Sequence, residues 1–369
     1  MNVKGLRVGL VGPLPPPSGG MANQTLQLAR LLREEGASVE LIQVNRPYRP
    51  AWAGRLKGVR ALFRLIPYLV HLRRSAGRVD VYHVMANSGW SWHLFAAPAV
   101  WMARLSGKPV VVNYRGGEAD SFFSKSLAWV RPTMTQADAI VVPSGFLESV
   151  FARRGWSARV VPNIIDLGRF NTLRALRSRE APRILVARNL EPIYDNATAL
   201  RAFRIVRQSF PDARLTVAGS GPERAALESL ADELGLRDAV EFAGRVENDD
   251  MARLYHASDL MVNPSLADNM PISILEALAC GVPVVSTNVG GIPRIVEHGK
   301  TALLVPPQHP EAMAAAMLRV LNDRAMAEAM RQAGAESVRQ YTWENVRVRL
   351  FDVYFDVLAR REELAMKTK

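Results

Sequence analysis

Asn263-Pro-Ser-Leu-Ala-Asp268-Asn-Met-Pro-Ile-Ser-Ile-Leu-Glu276-Ala-Leu-Ala-Cys-Gly281-Val-Pro-Val-Val is the stretch from which the rest of the chain can be read. An apolar run ends at Asn263, a polar loop follows, and a helix is predicted to begin at Pro271, because proline at a first helical position gives up a donor the helix cannot use. The Ala-Cys-Gly end of that helix leads into a strand over Val282–Ser286. In open parallel sheets, ligands bind outside the carboxyl ends of the strands, in loops of this kind. The N–H groups of Met270, Ile272 and Ser273, beside the positive end of the helix, would seat a diphosphate. Asp268 precedes the helix and Glu276 lies in its second turn. Carboxylates accept hydrogen bonds from paired hydroxyls, which suits Glu276 to a ribose and Asp268 to a hexose; taken alone, both also read as solvated acids or caps.

The same alternation continues on either side. Ahead of this stretch lie strand-like runs at Ile184–Ala187, Arg214–Ala218, Val240–Ala243 and Leu260–Asn263, and after it Ala302–Val305, with helical patterns between them. An earlier series covers Leu6–Val11, Val39–Val44, Val79–Val84, Pro109–Asn113 and Ala139–Val142, with amphipathic stretches Met21–Glu35, Trp90–Leu105 and Ser144–Arg154. Strand, helix, strand at this spacing implies parallel sheets covered on both faces. The expected fold class is α/β, with two doubly wound Rossmann-like domains, 1–172 and 173–341, facing each other across a cleft. The arginine-rich stretch Asn171–Pro182 reads as the join. In the last segment, 342–369, Val346, Leu350, Val353, Val357 and Leu358 recur at helical spacing, and this helix either finishes the second domain or crosses back to the first.

Composition narrows the class. Hydrophobic residues make up 49% and charged residues 22%, as in globular chains. The single cysteine, Cys280, allows neither an intrachain disulfide nor a cysteine-based zinc site and points to a reducing compartment. His71, His93, His298 and His309 have no metal-site spacing, His256 reads as a structural residue on a helix before a strand, and no Asp-x-Asp closes a strand, so no metal is expected. The N-terminus lacks the features of a signal peptide, and the longest apolar run, Leu94–Ala103, is too short for a bilayer, which suggests a cytoplasmic protein. The first loop, Gly12-Pro-Leu-Pro-Pro-Pro-Ser-Gly-Gly20, is not the dinucleotide fingerprint GxGxxG; Gly19 and Gly20 open a helix whose amides suit an anion, or else form an ordinary turn.

The net charge of +12 is unevenly placed. Residues 1–172 hold 22 Lys/Arg against 9 Asp/Glu, while the remainder is nearly balanced. Between Leu41 and Val79 there are nine basic residues and no acidic one. Such asymmetry marks a half that meets a polyanion. From Arg55 to Arg78, Leu56, Val59, Phe63, Ile66 and Val70 lie at roughly helical spacing, with Trp52 and Tyr68 suited to a headgroup interface and Pro67 expected to kink or end the helix. Arg55, Lys57, Arg60 and Arg64 are the expected contacts with an anionic membrane surface; the competing reading packs the apolar face on the sheet.

Taken together, these pieces resemble the family 4 retaining glycosyltransferases of GT-B fold. The likeness rests on the spacing from Asp268 to Glu276, the proline- and glycine-rich first loop, Val161-Pro-Asn-Ile-Ile-Asp166, Ala218-Gly-Ser-Gly-Pro-Glu223, and Gly290-Gly-Ile-Pro293 leading to Leu303-Leu-Val-Pro306. The resemblance implies that Glu276 holds the nucleotide ribose and that Asp268, with the backbone of Asn269, Met270, Pro271, Ile272 and Ser273, holds sugar and diphosphate. It implies that Arg188 stabilises the leaving diphosphate, and that Gly19, Gly20, Gly219 and Gly221 line the donor site. It also implies that the C-terminal helix crosses back to the first domain.

Two positions depart from the family pattern. A lysine usually follows the arginine by a few residues; here Arg188-Asn-Leu-Glu-Pro-Ile-Tyr194 offers none. A frequent histidine is replaced in Asn113-Tyr-Arg115, where Arg115 suits a phosphate or an anionic acceptor, and His83 either lines the same cleft or is packed at a strand end. The reading is a hexosyl transfer from a nucleoside-diphosphate sugar, the only small molecule required, to a glycan or lipid-linked acceptor in cell-surface polysaccharide synthesis. The rival is a donor-binding scaffold of the same fold with weak catalysis. Nucleic acid is not expected as a partner, since no stacking motif or helix-turn-helix accompanies the basic face.

Overall fold

The computed structural model describes residues 3–16, 19–50, 52, 55–56, 60–171 and 181–367. It divides into two compact units, Met1–Asn163 with Trp343–Lys369, and Ile164–Thr342. The division falls at Asn163, ahead of the expected boundary at 172. Ile165 and Phe170 belong to a core with Tyr255, Ile274 and Leu278, and the Ile165 amide donates to Tyr341 O at 3.0 Å. These apolar side chains, and not the arginines that follow them, decide the unit to which residues 164–171 belong. Residues 172–180 of the expected join lie outside the described residues.

In the first unit the strands are β1 (Arg7–Gly12), β2 (Ser38–Gln43), β3 (Val81–Ala86), β4 (Val110–Tyr114), β5 (Ala139–Val142) and β6 (Arg159–Val160). They form a parallel sheet in the order β2-β1-β3-β4-β5-β6. Every residue of β3 and β4 is buried, and apart from His83 and Asn113 they are aliphatic or aromatic, as in strands covered on both faces. The covering helices are α1 (Gly20–Glu34), α2 (Arg60–Ser75), α3 (Ala97–Leu105), α4 (Ala119–Met134), α5 (Gly145–Ala152) and the last helix, α12 (Trp343–Lys367). The stretch Trp90–Leu105 is not one regular helix, since a π-helical turn, Trp92–Ala96, leads into α3. Neither α4 nor the two-residue β6 was marked by the sequence pattern; α4 buries Phe122, Phe123, Val130 and Met134 and carries Pro132 inside it.

The choice left open for the C-terminal helix falls to the first unit. Val346, Leu350, Val353 and Val357 are buried along α12, as their spacing predicts. Trp343 Nε1 donates to Glu35 at 3.0 Å, Arg347 pairs with the same carboxylate, and Arg159 pairs with Asp356.

In the second unit the strands are β7 (Arg183–Ala187), β8 (Arg214–Ala218), β9 (Val240–Gly244), β10 (Leu260–Asn263), β11 (Val284–Thr287) and β12 (Leu303–Val305), in the order β12-β11-β10-β7-β8-β9 and all parallel. Its helices are α6 (Asn196–Ser209), α7 (Arg224–Glu233), α8 (Asn248–Ala257), α9 (Ile272–Ala279), α10 (Pro310–Asn322) and α11 (Arg324–Ser337). The first strand of the unit, β7, lies between β8 and β10, so the winding direction reverses there. Such a switch point opens a crevice at the carboxyl ends of the strands. Among the described residues no helix is long and apolar enough to cross a membrane.

Candidate functional site

The switch point of the second unit brings the loop after β7 beside the loop after β10. Arg188 follows β7 directly. Its side chain, 9% exposed, pairs with Asp268 of the other loop, and its Nη1 lies 3.4 Å from Ser273 Oγ. The guanidinium carbon stands 4.0 Å from the centroid of the Tyr194 ring, a cation–π stack, and Nε is buried without a hydrogen-bond partner. Tyr194 ends a short 3-10 turn, Pro192–Tyr194, and Asp195, at φ 42° in the left-handed region, turns the chain into α6. The turn is anchored to the β10 loop by Leu266 N donating to Ile193 O at 2.8 Å.

The glycines after β8 act on the same segment. A Cβ at Gly219 would collide with the Arg188 carbonyl, and one at Gly221 with the Leu190 carbonyl. Close approach lets Leu190 N donate to Ser220 O at 3.1 Å and Glu223 N to Leu190 O at 3.1 Å. Gly219 and Gly221 therefore pack against the backbone that carries Arg188, a role the sequence did not distinguish from ligand contact.

The β10 loop is held equally firmly. Asp268 Oδ1 accepts from the Asn269 amide at 2.8 Å, and the Asp268 carbonyl accepts from Gly291 N at 2.9 Å. Gly290, at φ 56°, faces the same carbonyl so closely that any side chain there would clash, which explains the Gly290-Gly-Ile-Pro293 motif. Pro271 is the N-cap of α9, one position before the place expected, and it offers no side-chain acceptor. The first amides of α9, Ile272 and Ser273, thus lack an intrahelical partner and lie at the positive end of the dipole. Asn269, Met270 and Pro271 are buried, so this loop offers backbone more than side chains.

Glu276 is buried in α9, and its Oε2 accepts from Tyr255 Oη at 2.9 Å. Burial raises its pKa to about 7, opposed by the Tyr255 hydrogen bond and the Arg169 charge. A buried carboxyl with one phenol donor is poised to accept further hydroxyl donors. Beneath the loop lies a polar network absent from the sequence reading. Asn263 Nδ2 donates to Ser286 Oγ at 2.9 Å, Ser265 Oγ to Asn263 Oδ1 at 3.0 Å, and Thr287 Oγ1 to Ser265 O at 2.6 Å. All four side chains are fully buried and tie the ends of β10 and β11 to the start of the loop. Polar residues closing apolar strands were the available clue.

The remaining candidates belong to the first unit. Gly19 is the N-cap of α1, and a Cβ at Gly19 or Gly20 would meet open space, so these glycines leave the helix N-terminus uncovered. His83 is not a surface contact. It is fully buried, Asn113 Nδ2 donates to its Nε2 at 3.0 Å, and its Nδ1 lies 2.9 Å from Tyr354 Oη on α12. Arg115 Nε donates to Asn113 Oδ1 at 3.1 Å, which fixes the amide orientation and leaves the His83 proton on Nδ1. Burial, helped by the Arg115 charge, pushes the His83 pKa down to about 3, so it carries no positive charge for a phosphate. Arg115 also donates to Asn163, and burial lowers its pKa to about 10, leaving it charged at neutral pH.

Of the basic residues assigned to a membrane, Arg55 and Arg60 are exposed, whereas Arg64 is braced, its Nε donating to Arg46 O at 2.9 Å and its guanidinium 4.0 Å from the Tyr48 ring centroid. Lys57 lies outside the described residues. Pro67 does not end α2. The helix packs inward through Tyr68 and Leu72, while Leu62, Ile66 and Val70, at 51%, 58% and 42% exposure, form an outward apolar stripe. Among the described residues no cluster of three or more His, Cys, Asp or Glu side chains comes together.

The chain is similar to known glycosyltransferases. The model of glycosyl transferases group 1 matches residues 173–337, and that of Glycosyltransferase Family 4 matches 18–169. An uncharacterized glycosyltransferase of Methanocaldococcus jannaschii is 37% identical over 144 residues, 39% of this chain and 37% of that protein. The GDP-mannose-dependent alpha-(1-6)-phosphatidylinositol monomannoside mannosyltransferase of Mycobacterium tuberculosis is 29% identical over 307 residues, 77% of this chain and 78% of its own. Sucrose-phosphate synthase from Thermosynechococcus elongatus superposes with a TM-score of 0.79 at 20% identity over 96% of this chain and 100% of that one. Anabaena HepE, solved in complex with UDP, does so with 0.74 at 17% identity over 95% and 100%. At these identities the structural likeness is one of fold.

Proposed function

Because this chain belongs to the family 4 glycosyltransferases of GT-B fold, we propose that it moves a hexose-type sugar from a nucleoside-diphosphate donor to a glycan or lipid-linked acceptor. The observation that carries the reading is Arg188, held at the switch point between Asp268 and the uncapped N-terminus of α9, with Glu276 buried on the same helix.

Breaking the bond between the anomeric carbon and phosphate places negative charge on the departing diphosphate. A guanidinium and a helix N-terminus fixed in advance stabilise that charge without reorganising. In the free protein Asp268 neutralises Arg188. An arriving diphosphate takes over the guanidinium and releases the Asp268 carboxylate toward the sugar hydroxyls, while Glu276 accepts from the ribose. The charge stabilisation in this scheme comes from the chain itself, and retention of configuration and independence of metal are parts of the same proposal. The dependence of the Mycobacterium tuberculosis relative on GDP-mannose favours a hexosyl donor. The phosphatidylinositol-linked acceptor named for the Mycobacterium tuberculosis relative, together with the outward apolar stripe of α2, favours an acceptor presented at the inner face of a membrane, in building a cell-surface polysaccharide.

The test is calorimetric and kinetic. UDP or GDP should bind the full chain, and Glu276→Ala should weaken that binding. Arg188→Ala should reduce hydrolysis of UDP-glucose or GDP-mannose by about a hundredfold or more, with a smaller effect on donor affinity. Binding of neither nucleotide sinks the reading, and equal turnover by Arg188→Ala removes the arginine from it. Tight nucleotide binding with no turnover, even with acceptor extracts, selects the donor-binding scaffold.

A further inference from the structure

We propose that a pocket at the carboxyl end of β2 binds a phosphate ester carried by the acceptor, an inference that rests on the glycosyl transfer proposed above. The pocket, about 310 Å³, is lined by Arg46, Arg49 and Arg64 together with Gln43, Phe63 and two prolines, Pro47 and Pro67. Among the described residues no carboxylate lines it, and the sequence holds no acidic residue from 41 to 79.

Glu40, the carboxylate behind Arg46, is already engaged. Arg46 Nη2 lies 2.8 Å from His71 Nδ1, and because arginine only donates, His71 must accept there and carry its proton on Nε2. That nitrogen donates to Glu40 at 3.1 Å, and Arg78 donates to both oxygens of the same carboxylate. Arg46 therefore meets Glu40 only through an imidazole and is not neutralised by it.

The geometry is prepared for an anion. Arg64 is held by the Arg46 carbonyl and the Tyr48 ring, and the prolines and Phe63 give stiff walls. Guanidinium forks match phosphate oxygens two at a time, which a lysine cluster does not do. The volume is at the small end of ligand sites, roughly 300–1,000 Å³, and fits a phosphate with its attached carbons better than an oligosaccharide. Position agrees with chemistry. β2 neighbours β1, and Asn45 binds the loop after β1 through Leu14, donating at 2.8 Å and accepting at 2.9 Å. The pocket thus opens on the ligand-binding rim of this sheet. Leu62, Ile66 and Val70 are exposed on the same helix that supplies Arg64, which suits a phosphate whose ester is lipid.

Full-length protein is tested against phosphatidylcholine vesicles with and without phosphatidic acid, and against soluble glycerol 3-phosphate. Each arginine is worth roughly fivefold in affinity near an anionic surface, so Arg46→Gln with Arg49→Gln should weaken binding by about thirtyfold. Arg49→Gln alone, which leaves His71 undisturbed, should give about fivefold. The matched control removes two exposed charges of α2 outside the pocket, Arg73→Gln with Arg74→Gln. Its loss should be several-fold smaller. Saturable binding of glycerol 3-phosphate, lost in the pocket variants, assigns a free phosphate ester. Binding to phosphatidic acid vesicles only, with the same variant ranking, assigns a lipid-borne one. Equal losses in pocket and control variants, or no binding to either probe, overturn the proposal. UDP and GDP affinity measured on the same variants should be unchanged. A wild type that binds phosphate but neither nucleotide would break the glycosyltransferase reading and leave the pocket standing.

Discussion

Arg188 in the second unit and Arg49 in the first both stand at the carboxyl end of a parallel sheet, and almost everything around them differs. Arg188 is nearly buried, neutralised by Asp268 and stacked on Tyr194. Arg49 is exposed and lines a pocket in which no described residue is a carboxylate. The first arrangement keeps a charge in a low-dielectric setting, where it interacts strongly with an ion that displaces its partner. The second leaves charges hydrated and additive, suited to capture more than to chemistry. The pairing with Asp268 also shows why the strong site needs a carboxylate: without one, a guanidinium this buried would destabilise the free protein.

The largest effect that tests this contrast is on stability. Asp268→Ala strands the Arg188 guanidinium and should cost about 3–5 kcal/mol in urea unfolding of the free protein, whereas Arg49→Gln should stay within about 0.5 kcal/mol. A neutral Asp268→Ala would mean that the two sites do not differ in burial as described. Saturating UDP should recover part of the loss, since a diphosphate supplies the missing charge.

Glu276 sharpens the contrast through pH. Its folded pKa, about 7, lies above that of an unfolded glutamate, so the folded state holds the proton more tightly. The stability this contributes is complete below the unfolded pKa and is lost as pH rises through 7. At about pH 8, Glu276→Gln should therefore be more stable than wild type by on the order of 2 kcal/mol, with the difference vanishing in acid. The same variant should bind UDP or GDP more weakly, and wild-type affinity should rise as pH is raised through 7. A variant that gains stability while losing ligand affinity is what a carboxylate kept for function predicts.

Smallest is the effect of Tyr194. Removing the stack with Tyr194→Leu should lower turnover by about tenfold, the worth of one desolvated cation–π contact, while Tyr194→Phe should remain near wild type. Equal loss in both would move the role from the ring to the hydroxyl.

Much of the site was readable along the chain because it is local. Proline before a helix, glycine after it, and two acids eight positions apart are statements about one loop and one helix. Gly290 and Gly219 were readable as motif members, but their reason was not, since each yields to a carbonyl on a distant strand connection. His83 shows the opposite failure. A histidine in an apolar strand fits a site or a core equally well, and only Asn113 and Tyr354, 30 and 271 positions away, decide for the core. On α2 the periodicity was visible but left two readings open, because an apolar residue every three or four positions says nothing about which stripe meets the sheet when apolar residues occupy both. Ile66 and Val70 stay exposed, and Tyr68, expected at a headgroup interface, is buried.

By itself the sequence determined the alternation of strands and helices, the two parallel sheets, the uneven charge, and the loop that leads into α9. These follow from which side chains leave water and from the few residues that start or stop a helix. The tertiary structure decided that Arg188 meets Asp268 across 80 positions, that α12 belongs with the first unit, and that Leu62, Ile66 and Val70 remain in solvent. Those outcomes depend on β10 lying beside β7 and on which helix face the sheet accepts. Neighbourhood of that kind arises only when distant segments compete for the same buried surface, and no window of sequence contains both competitors.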